Sequence, residues 1–511
     1  MSESTNNKRV AKNTLFLYFR MILIMLVSLY TSRVILATLG IRDYGINNVV
    51  AGVVTMFSFL NNSMSSSTQR FLTFEIGKGN KEGLCRVFAA ALNIHLGIAL
   101  LVIFLAETIG LWFVNAKLVI PAERMVAANW IYQFAILSFC VNIIQVPYNA
   151  TLIAHEKMSI YAYISILEVL LKLGIVYLLV ISPIDKLISY GLLFLLVQIL
   201  IRFIYQIYCR KHYEETKFRL FWDKDLYKQM SGFAGWNMFG SIAWLLRDQG
   251  LNIVLNLFFG PVINAARGVA NQVSNAVMNF ISNFQVALNP QITKNYAQNS
   301  FDEMERLAYR GIKFSFLLLF VMAFPLCINI KYVLSIWLVQ VPDYSALFLI
   351  LILIDALVGN LFGTPLMTSL AATGKIRNYQ ITVSTIILLI VPVSYVILKL
   401  GAGPESVFYV AIVFNLLSGI ARYVFCHKQI GYSAKKYLSY VIFPLAGVVI
   451  LSLPLPLLAK RYLSSDMSDL ANFLILCSIA FIISMVASWF IGFSKHERVM
   501  ITEVIRKKLH K

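Results

Sequence analysis

Apolar runs long enough to cross a bilayer recur fourteen times along this chain. They fall at about 13–38, 44–66, 87–113, 125–149, 158–181, 187–208, 232–258, 262–288, 311–333, 345–368, 379–399, 405–426, 437–459 and 470–493. A helix rises about 1.5 Å per residue, so about 20 such residues cover a hydrocarbon core of about 30 Å. Lipid offers no hydrogen bonds to the backbone, so runs of this length must be helical. The expected fold class is an all-α polytopic membrane protein of about 14 transmembrane helices. Composition closes off the soluble alternative: 59% of the residues are hydrophobic, 13% are charged, and the mean hydropathy is +0.74.

The net charge of +20 does not point to nucleic acid, because no basic domain stands outside the apolar runs. The basic residues sit in short connecting loops, where they set orientation. With the N-terminus cytoplasmic, the cytoplasmic segments, Lys313 included, carry 29 Lys and Arg against 8 on the opposite side. Both termini are therefore expected in the cytoplasm. The first run is too long for a cleavable signal and is interrupted by Arg20 and Arg33. The six cysteines show neither a CxxC pair nor an extracytoplasmic pair, so neither a zinc site nor a disulfide framework is expected.

The loop at 209–230 is long and charged, and the residues on its two sides repeat. Pro147, Leu152, Ala154, Lys157 and Tyr161 return as Pro365, Leu370, Ala372, Lys375 and Tyr379, and Gly40 returns as Gly260 at an offset near 220. This predicts two pseudo-symmetric six-helix lobes, 1–208 and 231–428, joined by a linker at 209–230. Two further helices and a basic tail at 429–511 lie outside the repeat.

The stretch 231–298 is long enough to span twice, yet it is studded with polar groups. Asn264, Arg267, Asn271, Asn275, Ser282, Gln285 and Asn289 recur at helical spacing and share one face. Asn48, Thr55, Asn62, Ser66 and Gln69 form a similar stripe in the second run. Such faces are either hydrogen-bonding glue between helices or the lining of a wet cavity.

Ionisable groups inside the runs are costly, so each is a functional candidate. Arg202 and Arg422 lie near cytoplasmic ends and can snorkel. Glu168 and Lys172 are four apart and can pair on one helix face. Asp355 has no cation within a turn in sequence; an unpaired carboxylate there could exchange protons or bind sodium. Asp355, Glu168 and Asp248 are the coupling-ion candidates, for H+ or Na+. No other cofactor, no catalytic set and no metal site is expected. Asp248 points about 100° away from its neighbour Arg247, so neutralisation within that pair is incomplete. Arg33, Arg247 and Arg267, with Asn62, Asn264, Asn271 and Asn275, are the expected lining of a net-positive cavity for an anionic cargo. Arginine forks onto phosphate oxygens, and amides meet hydroxyls.

The layout of six, six and two helices resembles the polysaccharide-exporter branch of the MOP superfamily, which has a MATE-like fold. The text at 40–80 and at 264–297, including Ala265, Gly268, Asn271, Gln272 and Pro290, is similar to O-antigen and capsule flippases of the Wzx type. The likeness covers nearly the whole chain. It implies a non-enzymatic, monomeric transporter in the bacterial cytoplasmic membrane. Its cargo would be an undecaprenyl-diphosphate-linked oligosaccharide, flipped from inner to outer leaflet by alternating access. Its partners would be membrane lipids and the polysaccharide polymerase and chain-length machinery, with no nucleic acid. A multidrug exporter and a peptidoglycan-precursor flippase share the fold. A membrane polymerase or ligase would need larger outer loops with clustered catalytic groups.

Overall fold

The computed structural model describes residues 16–27, 58–116, 120–181, 183, 185–217, 221–337, 341–462, 469–499 and 502. Between 27 and 58 it describes 30, 31, 34, 35, 38, 39, 43, 46, 47, 50 and 54 only. Every regular element among these residues is helical. We label the long helices α1 Phe16–Val27, α2 Ser58–Lys78, α3 Lys81–Ala116, α4 Ala122–Ala154, α5 Met158–Ile181, α6 Lys186–His212 and α7 Lys224–Phe259. They continue as α8 Pro261–Ala297, α9 Phe301–Ile328, α10 Ser345–Thr373, α11 Arg377–Lys399, α12 Ser406–Ile430, α13 Ala434–Arg461 and α14 Asp469–Gly492. Ten of these, α3–α6 and α9–α14, are long and apolar enough to cross a membrane, and the chain is a multi-pass membrane protein. The helices α7 and α8, of 36 and 37 residues, are long enough but too polar to count among them.

The chain divides into two compact units that meet within α7, after Met238. In the N-terminal unit α4 is the hub, packing on α2, α3 and α6. Its core holds Tyr132, Ile136 and Tyr148, with the Tyr132 hydroxyl donating to the Ala106 carbonyl at 2.8 Å. In the C-terminal unit α8 packs on α9 and α10, α12 on α10 and α11, and α9 on α14. Apolar side chains gain little by leaving lipid for protein, so close packing and interhelical hydrogen bonds hold such units together.

The repeat read from the sequence has local counterparts in the two units. Thr151 and Ser369 each fold back onto the carbonyl of the proline four residues earlier, Pro147 and Pro365, at 2.9 Å. Cys209 and Cys426 donate to the Tyr148 and Leu366 carbonyls at 3.8 and 3.7 Å. Glu156 and Gly374, at matching places after α4 and α10, both turn left-handed, with φ of 58° and 75°. The copies also differ. Pro147 sits inside a continuous α4, whereas α10 breaks at Phe362 and Gly363, two residues before Pro365.

That break explains Arg422. Instead of snorkelling to the interface, Arg422 is 5% exposed and donates to the Phe362 carbonyl and, at 3.2 Å, to the Tyr379 hydroxyl. A broken membrane helix leaves carbonyls without partners, and a buried guanidinium satisfies one of them. Lys313 is likewise no loop residue: it lies inside α9, 1% exposed, and meets the fully buried Glu497 at 2.8 Å.

Candidate functional site

Helices α7 and α8 are joined at Gly260, whose φ of 74° suits a residue without a Cβ. The tight joint sets Asp248 and Asn252, one turn apart on α7, against Asn264 and Arg267 on α8. Arg267 donates through Nη2 to Asp248 Oδ1 at 2.5 Å and through Nη1 to Asn252 Oδ1. Asn264 Nδ2 donates to the Asn252 carbonyl at 3.1 Å. Arg247, about 100° round α7 from Asp248, reaches α10 instead. Its Nη2 donates to Asp355 Oδ2 at 2.7 Å, while Asn415 of α12 donates to Asp355 Oδ1 at 2.8 Å. The guanidinium also lies 4.8 Å from the Trp244 ring centroid.

Two expectations from the sequence change here. Asp355 is not an unpaired carboxylate: Arg247 neutralises it, and the side chains are 12% and 16% exposed. Nor are Arg247 and Arg267 free cations, because each has its own carboxylate. The pairing was hidden because 108 positions separate Arg247 from Asp355. Asn415, which completes the cluster, drew no attention as a lone amide in an apolar run.

The amide stripe on α8 splits into two kinds. Gln285 is buried and donates to Ser315 and Asn360 at 3.3 and 3.5 Å, and Asn289 accepts from Thr368 at 2.8 Å. These are interhelical glue. Asn271 is half-buried, and Asn275 is exposed. With Gln272, Asn279 and Ser282, Asn275 forms an exposed face in the middle of the 37-residue helix. The side-chain amides of Gln272, Asn275 and Asn279 have no partner among the described residues. Such an uncovered polar face is unfavourable against lipid and favourable against water. Arg33 lies outside the described residues, as does the side chain of Asn62.

In the N-terminal unit the pair expected from sequence spacing forms, with Lys172 Nζ donating to Glu168 Oε1 at 2.6 Å. Gln198 of α6 donates to the same oxygen at 3.2 Å and accepts from Asn142 of α4 at 3.3 Å. Glu168 and Lys172 border a cavity inside this unit.

No protein-family model matches the sequence, and neither does any curated protein. The fold, by contrast, is that of MATE-family transporters of the MOP superfamily. An outward-facing multidrug resistance MATE transporter superposes with a TM-score of 0.68 at 14% identity, covering 84% of this chain and 98% of that one. A MATE protein in the straight conformation gives 0.72 at 14% identity, covering 83% and 96%. A MOP-superfamily transporter from Pyrococcus furiosus, described as having a binding pocket of reverse polarity that suggests a different function, gives 0.69 at 13% identity, covering 84% and 98%.

Proposed function

We propose that this chain is a transporter that flips an undecaprenyl-diphosphate-linked oligosaccharide from the inner to the outer leaflet of the cytoplasmic membrane, for surface polysaccharide synthesis. The exposed amide face of α8, Gln272, Asn275, Asn279 and Ser282, carries this reading. Amides offer a donor and an acceptor each, which suits the hydroxyls of a glycan and not a greasy organic cation. The fold is one that transporters share, and alternating access is its natural mechanism.

Arg267 is the guanidinium nearest this face in sequence, and it and Arg247 are both engaged by carboxylates. Asp248 is 51% exposed and Arg267 only 5%, so a cargo diphosphate reaches this guanidinium by displacing Asp248 as its bidentate partner. If cation transport drives the cycle, its carboxylate must first part from a cationic partner, since Glu168 is held by Lys172 and Gln198 and Asp355 by Arg247 and Asn415.

A second reading, an exporter of small organic solutes, is favoured by the neutrality of the four-residue cluster Arg247, Asp355, Arg267 and Asp248. Deleting the gene in its host separates the two. On the flippase reading, surface polymer is lost while complete lipid-linked repeat units accumulate facing the cytoplasm. Intact polymer with new drug sensitivity selects the exporter.

A further inference from the structure

The N-terminal unit holds a half-open cavity of about 460 Å³, lined from α1, α4, α5 and α6 and distinct from the α8 face. That is the size range of pockets for small molecules. Its wall includes Arg20, Gln145, Asn149, Tyr161, Glu168 and Lys172.

The charges there do not cancel. Lys172 and Glu168 neutralise one another at 2.6 Å. Arg20 is then left over, and no carboxylate pairs with it among the described residues. Its guanidinium lies 4.6 Å from the Tyr161 ring centroid, and its Nε is buried without an acceptor. Two acceptors on the opposite helix are equally unsatisfied: Gln145 Oε1, on a side chain 4% exposed, and Asn149 Oδ1. Buried polar atoms are nearly always hydrogen-bonded, so three orphans around one cavity mark it as built for an occupant.

The orphans define that occupant. A surplus guanidinium calls for a carboxylate or phosphate. Orphaned amide oxygens call for donors, which a neutral or anionic ligand supplies as hydroxyls. Chloride would answer Arg20 and leave the amide oxygens bare. A metal cation would leave Arg20 bare, and Lys172 already compensates the carboxylate it would seek. We propose that this cavity binds a hydroxylated anion of the size of one acidic sugar, with Arg20 on the acid group and Gln145 and Asn149 accepting from hydroxyls. The site stands independently of the flippase reading. The ligand has two sources: an acidic sugar within a lipid-linked glycan, or a free hydroxy acid.

The test is equilibrium binding of glucuronate to the full chain purified in detergent, with glucose and sodium as comparators. The proposal expects saturable glucuronate binding, at least tenfold weaker for glucose. Arg20→Gln should weaken glucuronate at least tenfold, and Gln145→Leu several-fold. Should Arg20→Gln fail to fold, Val169→Trp, which fills the cavity from its wall and keeps every charge, must abolish binding in its place. Displacement by a uronate-bearing lipid-linked glycan supports the site and names the cargo as its source. A lack of displacement, with glucuronate bound, supports the site and names a free hydroxy acid. Equal binding of glucose and glucuronate, sodium binding alone, or a Val169→Trp variant that still binds glucuronate overturns it.

Discussion

Arg247 of α7 and Asp355 of α10 lie 108 positions apart in the chain and 2.7 Å apart in space, with Asn415 bracing the carboxylate from a third helix. The pair ties three helices of the C-terminal unit together at a point where lipid-like surroundings weaken every apolar contact as a source of stability.

Removing one partner of such a pair leaves a buried charge without compensation, and Asp355→Asn should cost about 3 kcal/mol. Arg247→Gln should cost a similar amount. The double variant should cost clearly less than the sum, since neither charge is then stranded. Melting curves of the three variants in detergent check this. Additive losses would mean that the two side chains act separately, and Asp355 would return as a free coupling carboxylate.

The fold was largely legible because lipid imposes one rule on every span, and helix length and apolarity follow from it directly. Thus α3–α6 and α9–α14 could be read from runs of letters, and the repeat around Pro147 and Pro365 has local counterparts in the left-handed turns at Glu156 and Gly374. Within the candidate site, Glu168 and Lys172 were legible because i and i+4 face each other on any helix. Asp355 was not, because its partner comes from another helix and no local period reveals it. Lys313 was misplaced for a related reason: counting loop charges treats any lysine near a span end as solvated, whereas Glu497, from the segment after α14, pairs with it in the interior.

The buried Lys313–Glu497 pair makes a second prediction. Glu497 also accepts from the Tyr440 hydroxyl at 2.5 Å and from its own turn at the Ser494 amide, at 2.8 Å. The segment after α14 is thereby pinned to α9 and α13. Lys313→Met should destabilise the C-terminal unit by about 3 kcal/mol, because it strands Glu497. Ending the chain after Phe493 should do likewise by stranding Lys313. Combining the two changes should recover part of the loss, as thermal unfolding monitored by tryptophan fluorescence can show.

Two carboxyls outside the spans set the acid limit of the fold. For Asp185 burial works upward, but the hydrogen bond from Arg124 at 2.5 Å and those from the Ile188 and Leu187 amides outweigh it, and its pKa falls below the usual 3.8. Burial likewise raises Glu497 and is outweighed by Lys313, so its pKa lies below 4.5. Folded-state values below the unfolded ones mean that both groups stabilise fully at neutral pH. That contribution fades as the solution is acidified below about pH 4. Melting temperature should be flat from neutral pH down to about 5 as far as these groups are concerned, then fall. Arg124→Gln should flatten part of the fall.

The two kinds of amide on α8 should separate under mutation. Asn275→Leu and Asn279→Leu touch exposed side chains without partners, so in water stability should change by no more than about 0.5 kcal/mol. Gln285→Leu removes hydrogen bonds to Ser315 and Asn360 and should cost about 1 kcal/mol. Function should rank the other way. Restoration of surface polysaccharide in the deletion strain should fail or fall several-fold with the Asn275 and Asn279 variants and survive Gln285→Leu at matched protein levels. If the exposed-face variants complement fully while Gln285→Leu does not, the face of α8 is a passive surface. The cargo path would then have to be sought elsewhere in the chain.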